Sequence, residues 1–233
     1  MKTRILFLTA AFALTFAATS CSKDDDGGNT FGNGQSIDPN TPVPDPEGTM
    51  TVNIRNGGET SVDGIIIDGG NNFCAANYYT RYFSDLGAMK GLGNITDPVT
   101  TGLTSKCAVI PGHGYWCYTS TKQFPSGKRA IKDGSTHYKL YVDSWILSGT
   151  STILGAVVKW VSYTYHAPYQ VPDPEAALFV PYTLVAPTED IEYIPNEDYQ
   201  VTISGNSITW EKTYYEPSDY LYIRIGESYF YVW

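Results

Sequence analysis

Residues 201–210 read Val-Thr-Ile-Ser-Gly-Asn-Ser-Ile-Thr-Trp, and this stretch decides the fold class. Apolar and polar residues alternate on both sides of Ser204-Gly205-Asn206-Ser207, and a period of two belongs to half-buried strands, not to helices. A two-residue Gly205-Asn206 turn sets Ile203 opposite Ile208 and Val201 opposite Trp210. Apolar then meets apolar on one face, as a core requires.

The pattern repeats toward the C-terminus, where Tyr220 to Ile225 and Tyr229 to Trp233 flank Gly226-Glu227-Ser228. Pairing Ile225 with Phe230 and Ile223 with Val232 would give one aliphatic, core-directed face. The other face would carry Tyr222 opposite Trp233 and Arg224 opposite Tyr231, with Tyr220 and Tyr229 beside them. Tyr222, Arg224, Tyr231 and Trp233 are therefore the candidate ligand-binding residues. Aromatic rings pack on the apolar faces of sugars, and a neighbouring arginine can bond hydroxyls. The competing reading of the same rings is core or inter-domain packing.

Toward the N-terminus, strand signals recur. Met50 to Arg55 alternates up to Asn56-Gly57-Gly58, and Gly64 to Asp68 is a short apolar run ended by Gly69-Gly70-Asn71-Asn72. Lys106 to Ile110 and Tyr115 to Thr121 flank Pro111-Gly112-His113-Gly114 as a hairpin. Tyr138 to Leu147 and Ile153 to Tyr165 form a longer one. Ser84 to Met89 suits one helical turn, and no segment supports a long amphipathic helix. With 19 Tyr and 22 Gly, composition agrees with strands and turns. The expected fold is all-β: an antiparallel β-sandwich-like domain over residues 48–170 and a small C-terminal β region over residues 175–233.

Proline punctuates these units. Val43-Pro44-Asp45-Pro46-Glu47 recurs as Val171-Pro172-Asp173-Pro174-Glu175. Two prolines in five residues remove two ladder donors, so neither copy lies within a central strand. The first copy closes a Gly-, Asn- and Pro-rich tether; the second is a domain boundary or a rigid crossover loop.

Before the tether, Lys2 and Arg4 precede the apolar segment Ile5 to Ala18, which is too short for a span of ~20 residues and reads as a signal peptide, residues 1–20. Ala18-Thr19-Ser20-Cys21 resembles a bacterial lipobox. Ser22, Lys23, Asp24, Asp25 and Asp26 resemble the export signal of Bacteroidetes surface lipoproteins. The resemblance implies lipidation at Cys21 and an outer-membrane location facing outward, with residues 21–47 as lipidated tether. Acyl chains hold a protein by about 0.8 kcal/mol per buried methylene, so two or three anchor it stably. The β-rich remainder resembles lipoprotein domains of unknown function.

Without Lys2 and Arg4 the mature 213 residues carry 13 Lys plus Arg against 24 Asp plus Glu, a net charge of −11. Nucleic acid is excluded as a partner, because such a chain without a basic stripe is repelled by phosphate.

The chemistry-bearing residues are sparse. Cys74, Cys107 and Cys117 remain beyond Cys21, and an odd-length hairpin loop would set Cys107 opposite Cys117 for a disulfide; Cys74 with either is the alternative. No close cysteine pair suggests zinc, and His113 lacks an evident carboxylate partner for nucleophilic catalysis. Asp68-Gly69-Gly70-Asn71-Asn72 offers oxygens but lacks the alternation and closing Glu of a calcium loop. No cofactor, metal or catalytic residue is expected. The expectation is a noncatalytic binding module, with carbohydrate as the favoured ligand. An adhesion or accessory protein contacting an envelope partner, and a polysaccharide hydrolase with unplaced carboxylates, are the alternatives.

Overall fold

The computed structural model describes residues 41–58, 60–96, 98–167, 180–214 and 219–232. The signal peptide, Cys21 with its acidic segment, the tether up to residue 40, the repeat at 171–175 and Trp233 lie outside the described residues. The described chain is all-β, and its only helical element is a 3-10 turn, Leu92–Asn94.

Among the described residues, sixteen strands form four sheets. Sheet I has the order β1 (Met50–Arg55), β10 (Thr152–Thr164), β9 (Thr136–Ser148), β6 (His113–Tyr118), β4 (Tyr82–Ala88), all antiparallel. Sheet II runs β2 (Ile65–Ile67), β3 (Asn72–Ala75), β5 (Lys106–Ala108). Sheet III runs β12 (Ile191–Tyr193), β15 (Leu221–Ile225), β16 (Ser228–Val232), β8 (Arg129–Lys132), β7 (Thr121–Gln123). Sheet IV runs β11 (Tyr182–Val185), β14 (Ser207–Lys212), β13 (Tyr199–Ser204).

Two sandwich cores follow from the alternation. Ile54, Phe83, Tyr115, Leu140, Val142, Ala156 and Val158 of sheet I meet Ile65, Ile67 and Phe73 of sheet II. Leu221, Ile223, Ile225, Phe230 and Val232 of sheet III meet Tyr199, Ile208 and Trp210 of sheet IV. Each fully buried large side chain contributes ~1.5–3 kcal/mol, so these faces dominate the stability. Sheet I is covered on its second face as well, where Trp116, Tyr118 and Val161 pack with Leu92, Ile95 and Ile131. Its interior strand β6 accordingly reads as a continuous apolar run, with Tyr115, Trp116, Cys117 and Tyr118 all buried.

The β13–β14 hairpin has the expected register, Ile203 opposite Ile208 and Val201 opposite Trp210. Gly205 sits at φ +58 at the first turn position, the requirement of a type II′ turn. Ile203, at the hairpin tip, is exposed, so the buried face begins only at Ile208. The β9–β10 hairpin also forms as expected, with Leu147 opposite Ile153.

Three local expectations are corrected. Ser84 to Met89 is not a helical turn: Ser84 continues β4 because Phe83 is wholly buried opposite Cys117 and stacks on Phe73 at 5.9 Å. Lys106 to Ile110 does not pair with Tyr115 to Thr121. Instead β5 pairs with β3, and the chain crosses from sheet II to sheet I at Pro111-Gly112. The Tyr115 hydroxyl holds this crossover, accepting from Ile110 N at 2.9 Å and donating to Ala108 O at 3.0 Å. Residues 41–47 are not free tether. Asn94 donates to Thr41 O and accepts from Val43 N, Lys159 pairs with Asp45 at 2.7 Å, and Gly93 lies so close that a Cβ there would sit 2.1 Å from Pro44 O.

On the second face of sheet I, His137 is fully buried against Trp116, Tyr118 and Tyr163. Burial, reinforced by the charge of Lys139, pushes its pKa from 6.5 down to about 4. The unfolded chain therefore binds this proton between pH 6.5 and 4 while the native protein resists it, so stability falls as pH drops through that window. The loss attributable to His137 should reach roughly 3 kcal/mol below pH 4. Urea melts of wild type and His137→Phe at pH 7 and pH 4.5 test this; the variant should lose distinctly less stability on acidification.

Candidate functional site

The β15–β16 hairpin closes through a two-residue Gly226-Glu227 turn, with Gly226 at φ +57, and not through the longer loop expected. The register moves by two, pairing Ile225 with Ser228, Ile223 with Phe230 and Leu221 with Val232. An even shift leaves each side chain on its own face. Tyr222 consequently faces Tyr231, and Arg224 faces Tyr229, all on the outer side of sheet III.

The tyrosines gather there. Tyr222 lies 6.1 Å from Tyr231 and 6.3 Å from Tyr229 between ring centroids, and Tyr220 stands edge-on to Tyr231 at 4.7 Å. Tyr229 is buried, against Phe124 and Ala130, and supports the patch from beneath. Tyr222 and Tyr231 are half-buried, and Tyr220 is exposed.

Two lysines complete the face. Sheet III continues from β16 into β8 by parallel pairing, Ser228 with Ile131 and Tyr229 with Lys132, and then antiparallel into β7, where Lys122 faces Ala130. Lys122 Nζ sits 3.1 Å from the centroid of Tyr222. Lys132 Nζ sits 4.6 Å from that of Tyr231 and 3.3 Å from its hydroxyl. Ammonium groups over ring faces gain cation–π attraction of ~0.5–1 kcal/mol each when exposed. No sequence argument found these lysines, because the pairing that brings them to the tyrosines spans about a hundred residues.

Arg224 does not belong to this ligand surface. Its side chain is only 3 % exposed, donating from Nη1 and Nη2 to the two oxygens of Asp190 at 2.9 and 2.7 Å, from Nε to Glu192 at 3.2 Å and from Nη1 to Gly226 O at 2.6 Å. A guanidinium pinned by a bidentate carboxylate is structural. Glu192 also accepts from the Ser126 N–H and hydroxyl, and Asp190 accepts from Lys128. The Arg224 bonds, aided by Lys128, hold the Asp190 carboxyl well below the ordinary range.

This network forms one wall of a polar cleft of about 530 Å³, lined by Thr101, Gln123, Lys128, Arg129, Asp190 and Glu227 among others. A glycosidic general acid needs a raised pKa, and Asp190 is displaced the opposite way.

The remaining candidates are structural. Cys107 faces Phe73 and Cys117 faces Phe83, so the hairpin register that would have joined them does not form, and Cys74, Cys107 and Cys117 are free thiols. Burial, with the nearby Asp85 charge, pushes Cys107 up to about 11, which keeps it protonated and unreactive at neutral pH. His113 does have a carboxylate partner, Asp85, at 3.0 Å from Nδ1 across the β4–β6 pairing. Asp68 is consumed by its own turn: it accepts from Gly70 N, Asn72 N and Asn72 Nδ2 and pairs with Lys106, and the Asn72 backbone bond foremost lowers it to about 2. Among the described residues no three His, Cys, Asp or Glu side chains converge to hold a metal ion.

Stacked sheets presenting an outer face of tyrosine and lysine define the class: an all-β protein with a flat, partly exposed aromatic surface. Residues 50–233, which include every strand among the described residues, match the model of a domain of unknown function, DUF5036, and the chain belongs to that family. No curated protein and no solved structure matches it.

Replacing Arg224 by Leu should destabilise the protein by about 2 kcal/mol, because Glu192 loses its cation and Asp190 keeps only the exposed Lys128. Denaturant titration at pH 7 measures this. Since Asp190 is held ionised, its contribution is present above the ordinary carboxylate range and fades as pH falls below about 4, so the deficit of the variant should narrow there.

Proposed function

We propose that this chain is a noncatalytic binding protein for carbohydrate, lipid-anchored in the outer membrane and displayed outward. The observation that carries the binding reading is the convergence of Tyr220, Tyr222 and Tyr231 on one solvent-facing side of sheet III, away from the core that sheet III shares with sheet IV. Large rings normally fill cores, as Tyr199, Trp210 and Phe230 do between sheets III and IV, whereas these three lie on the opposite face of sheet III. A face of tyrosines with hydroxyls at its rim offers both apolar contact and hydrogen bonds to a saccharide.

The location rests on Ala18-Thr19-Ser20-Cys21 and on the acidic run Asp24, Asp25, Asp26 behind it. Together they resemble the address of a Bacteroidetes surface lipoprotein, and the clear excess of acid over base in the mature chain suits an exposed, solvated surface. The noncatalytic reading is supported by Asp190, which is held ionised in the polar cleft it lines and so is no proton donor there at neutral pH.

Two measurements test these points. Tyr222→Ala together with Tyr231→Ala should weaken the binding of the full-length protein to its preferred glycan by about tenfold or more, with an unchanged far-ultraviolet circular dichroism spectrum. A folded double variant with undiminished affinity would remove this face from consideration, and silence of the wild type across neutral and acidic glycans would turn the reading toward a protein partner. Cys21→Ser should move the protein from the membrane fraction to the soluble one; retention in the membrane would refute the anchor.

A further inference from the structure

The ligand of the tyrosine face has a charge. We infer that the face takes an acidic saccharide, one bearing carboxylate or sulfate groups, and that Lys122 and Lys132 are its anion-binding residues. This inference rests on the reading of sheet III as a carbohydrate-binding surface and adds the substrate class.

Three observations lead to it. First, among the described residues neither lysine has a carboxylate within ion-pair distance, whereas Lys106, Lys128 and Lys159 all do. In a chain with 24 acidic and 15 basic residues, two cations side by side without an acidic partner stand out. Asp219 acts on Lys122 through space, without an ion pair.

Second, the two belong to one spot. Lys122 faces Ala130 across the β7–β8 ladder, and Lys132 lies two residues further along β8 on the same side. Such diagonal neighbours are separated by about 7–8 Å, within reach of two charges on one short saccharide or of one anion bridging both ammonium groups. Burial depresses the pKa of Lys122, so its charge has been partly stripped of water with only the through-space charge of Asp219 to offset the loss. A bound anion restores what burial removed.

Third, the lysines stand where a neutral sugar would stack. Lys122 Nζ covers one face of Tyr222 at 3.1 Å, and Lys132 covers Tyr231 at 4.6 Å. A neutral ring would have to displace both ammonium groups and forfeit their cation–π contacts. An acidic saccharide binds with the lysines in place, its charge on the ammonium groups and its ring beside the exposed Tyr220.

A peptide is the less suitable occupant. Peptides draw affinity from pairing at a free strand edge or from a deep apolar groove. The centre of this patch lies on β15, β16 and β8, interior strands with neighbours on both sides.

The experiment is calorimetric titration of the detergent-solubilised full-length protein against matched polymers. Polygalacturonate, hyaluronan and chondroitin sulfate supply the acidic panel. Fully methyl-esterified polygalacturonate and neutral glucans and mannans supply the neutral one, and polyglutamate is the polyanion without sugar. At least one acidic polymer should bind, its affinity should fall as salt is raised from 50 to 300 mM, and Lys122→Gln with Lys132→Gln should cost about tenfold with the fold intact. Equal binding of polygalacturonate and its methyl ester, or binding confined to neutral glycans, overturns the acidic class and leaves the carbohydrate reading standing. Polyglutamate binding as tightly as the best acidic glycan overturns the saccharide assignment. Acidic binding unaffected by the double lysine substitution removes Lys122 and Lys132. Silence of every saccharide overturns both the inference and the function it rests on.

Discussion

The parallel pairing of β16 with β8 is the contact on which the tyrosine–lysine face depends. It engages only Ser228 with Ile131 and Tyr229 with Lys132, yet it joins strands about a hundred residues apart into one sheet. Further bonds tie the seam: Ile131 N donates to Glu227 O, Asp133 N donates to Tyr229 O, and the hydroxyls of Ser120 and Tyr229 share a hydrogen bond at 3.0 Å. On the other side Ile131 reaches into the aromatic layer above sheet I. The seam therefore fixes the tyrosines of β15 and β16 against the lysines of β7 and β8, and it holds the chain before residue 168 to the chain after residue 179 by backbone hydrogen bonds. Parallel pairing at this separation carries a large loop-closure cost, which the buried residues on both sides of the sheet must offset.

How much of this was legible in the sequence depended on distance along the chain. Hairpins were legible, since Gly205-Asn206 both breaks the alternation and specifies the turn that restores it. At the C-terminus the strand register lies two residues from the one the pattern suggests, and the face assignment of Tyr222, Arg224 and Tyr231 nonetheless holds, because an even shift does not exchange the sides of a strand. Where a short strand pairs with a distant one, local pattern misleads. Cys107 sits in a three-residue strand whose neighbours in sequence suggest a hairpin, while the buried stacking of Phe73 on Phe83 and Tyr115 draws that strand to the other sheet.

Arg224 shows the same limit for a single side chain. Its face was read correctly and its role was not. An arginine on an aromatic face suggests a ligand group, but Asp190 and Glu192 lie on a segment some thirty residues earlier, and only the β12–β15 pairing brings them to it. Conversely, His113 looked isolated and has Asp85 beside it, because β4 and β6 run antiparallel with Ala88 opposite His113. Polar partners separated by a strand pairing leave no mark in composition or spacing, whereas apolar alternation does.

The clasp that Asn94 places on Thr41 and Val43 bears on how this body takes a mechanical load. Force entering along the chain from its N-terminal side meets that side-chain amide first, then the Lys159–Asp45 ion pair, and only afterwards the six-residue ladder between β1 and β10. The weak contacts stand in series ahead of the strong ones. Small tugs are absorbed by a few hydrogen bonds that re-form within the folded state, and the edge strand of sheet I, whose Ile54 is wholly buried in the first core, is spared until they have yielded.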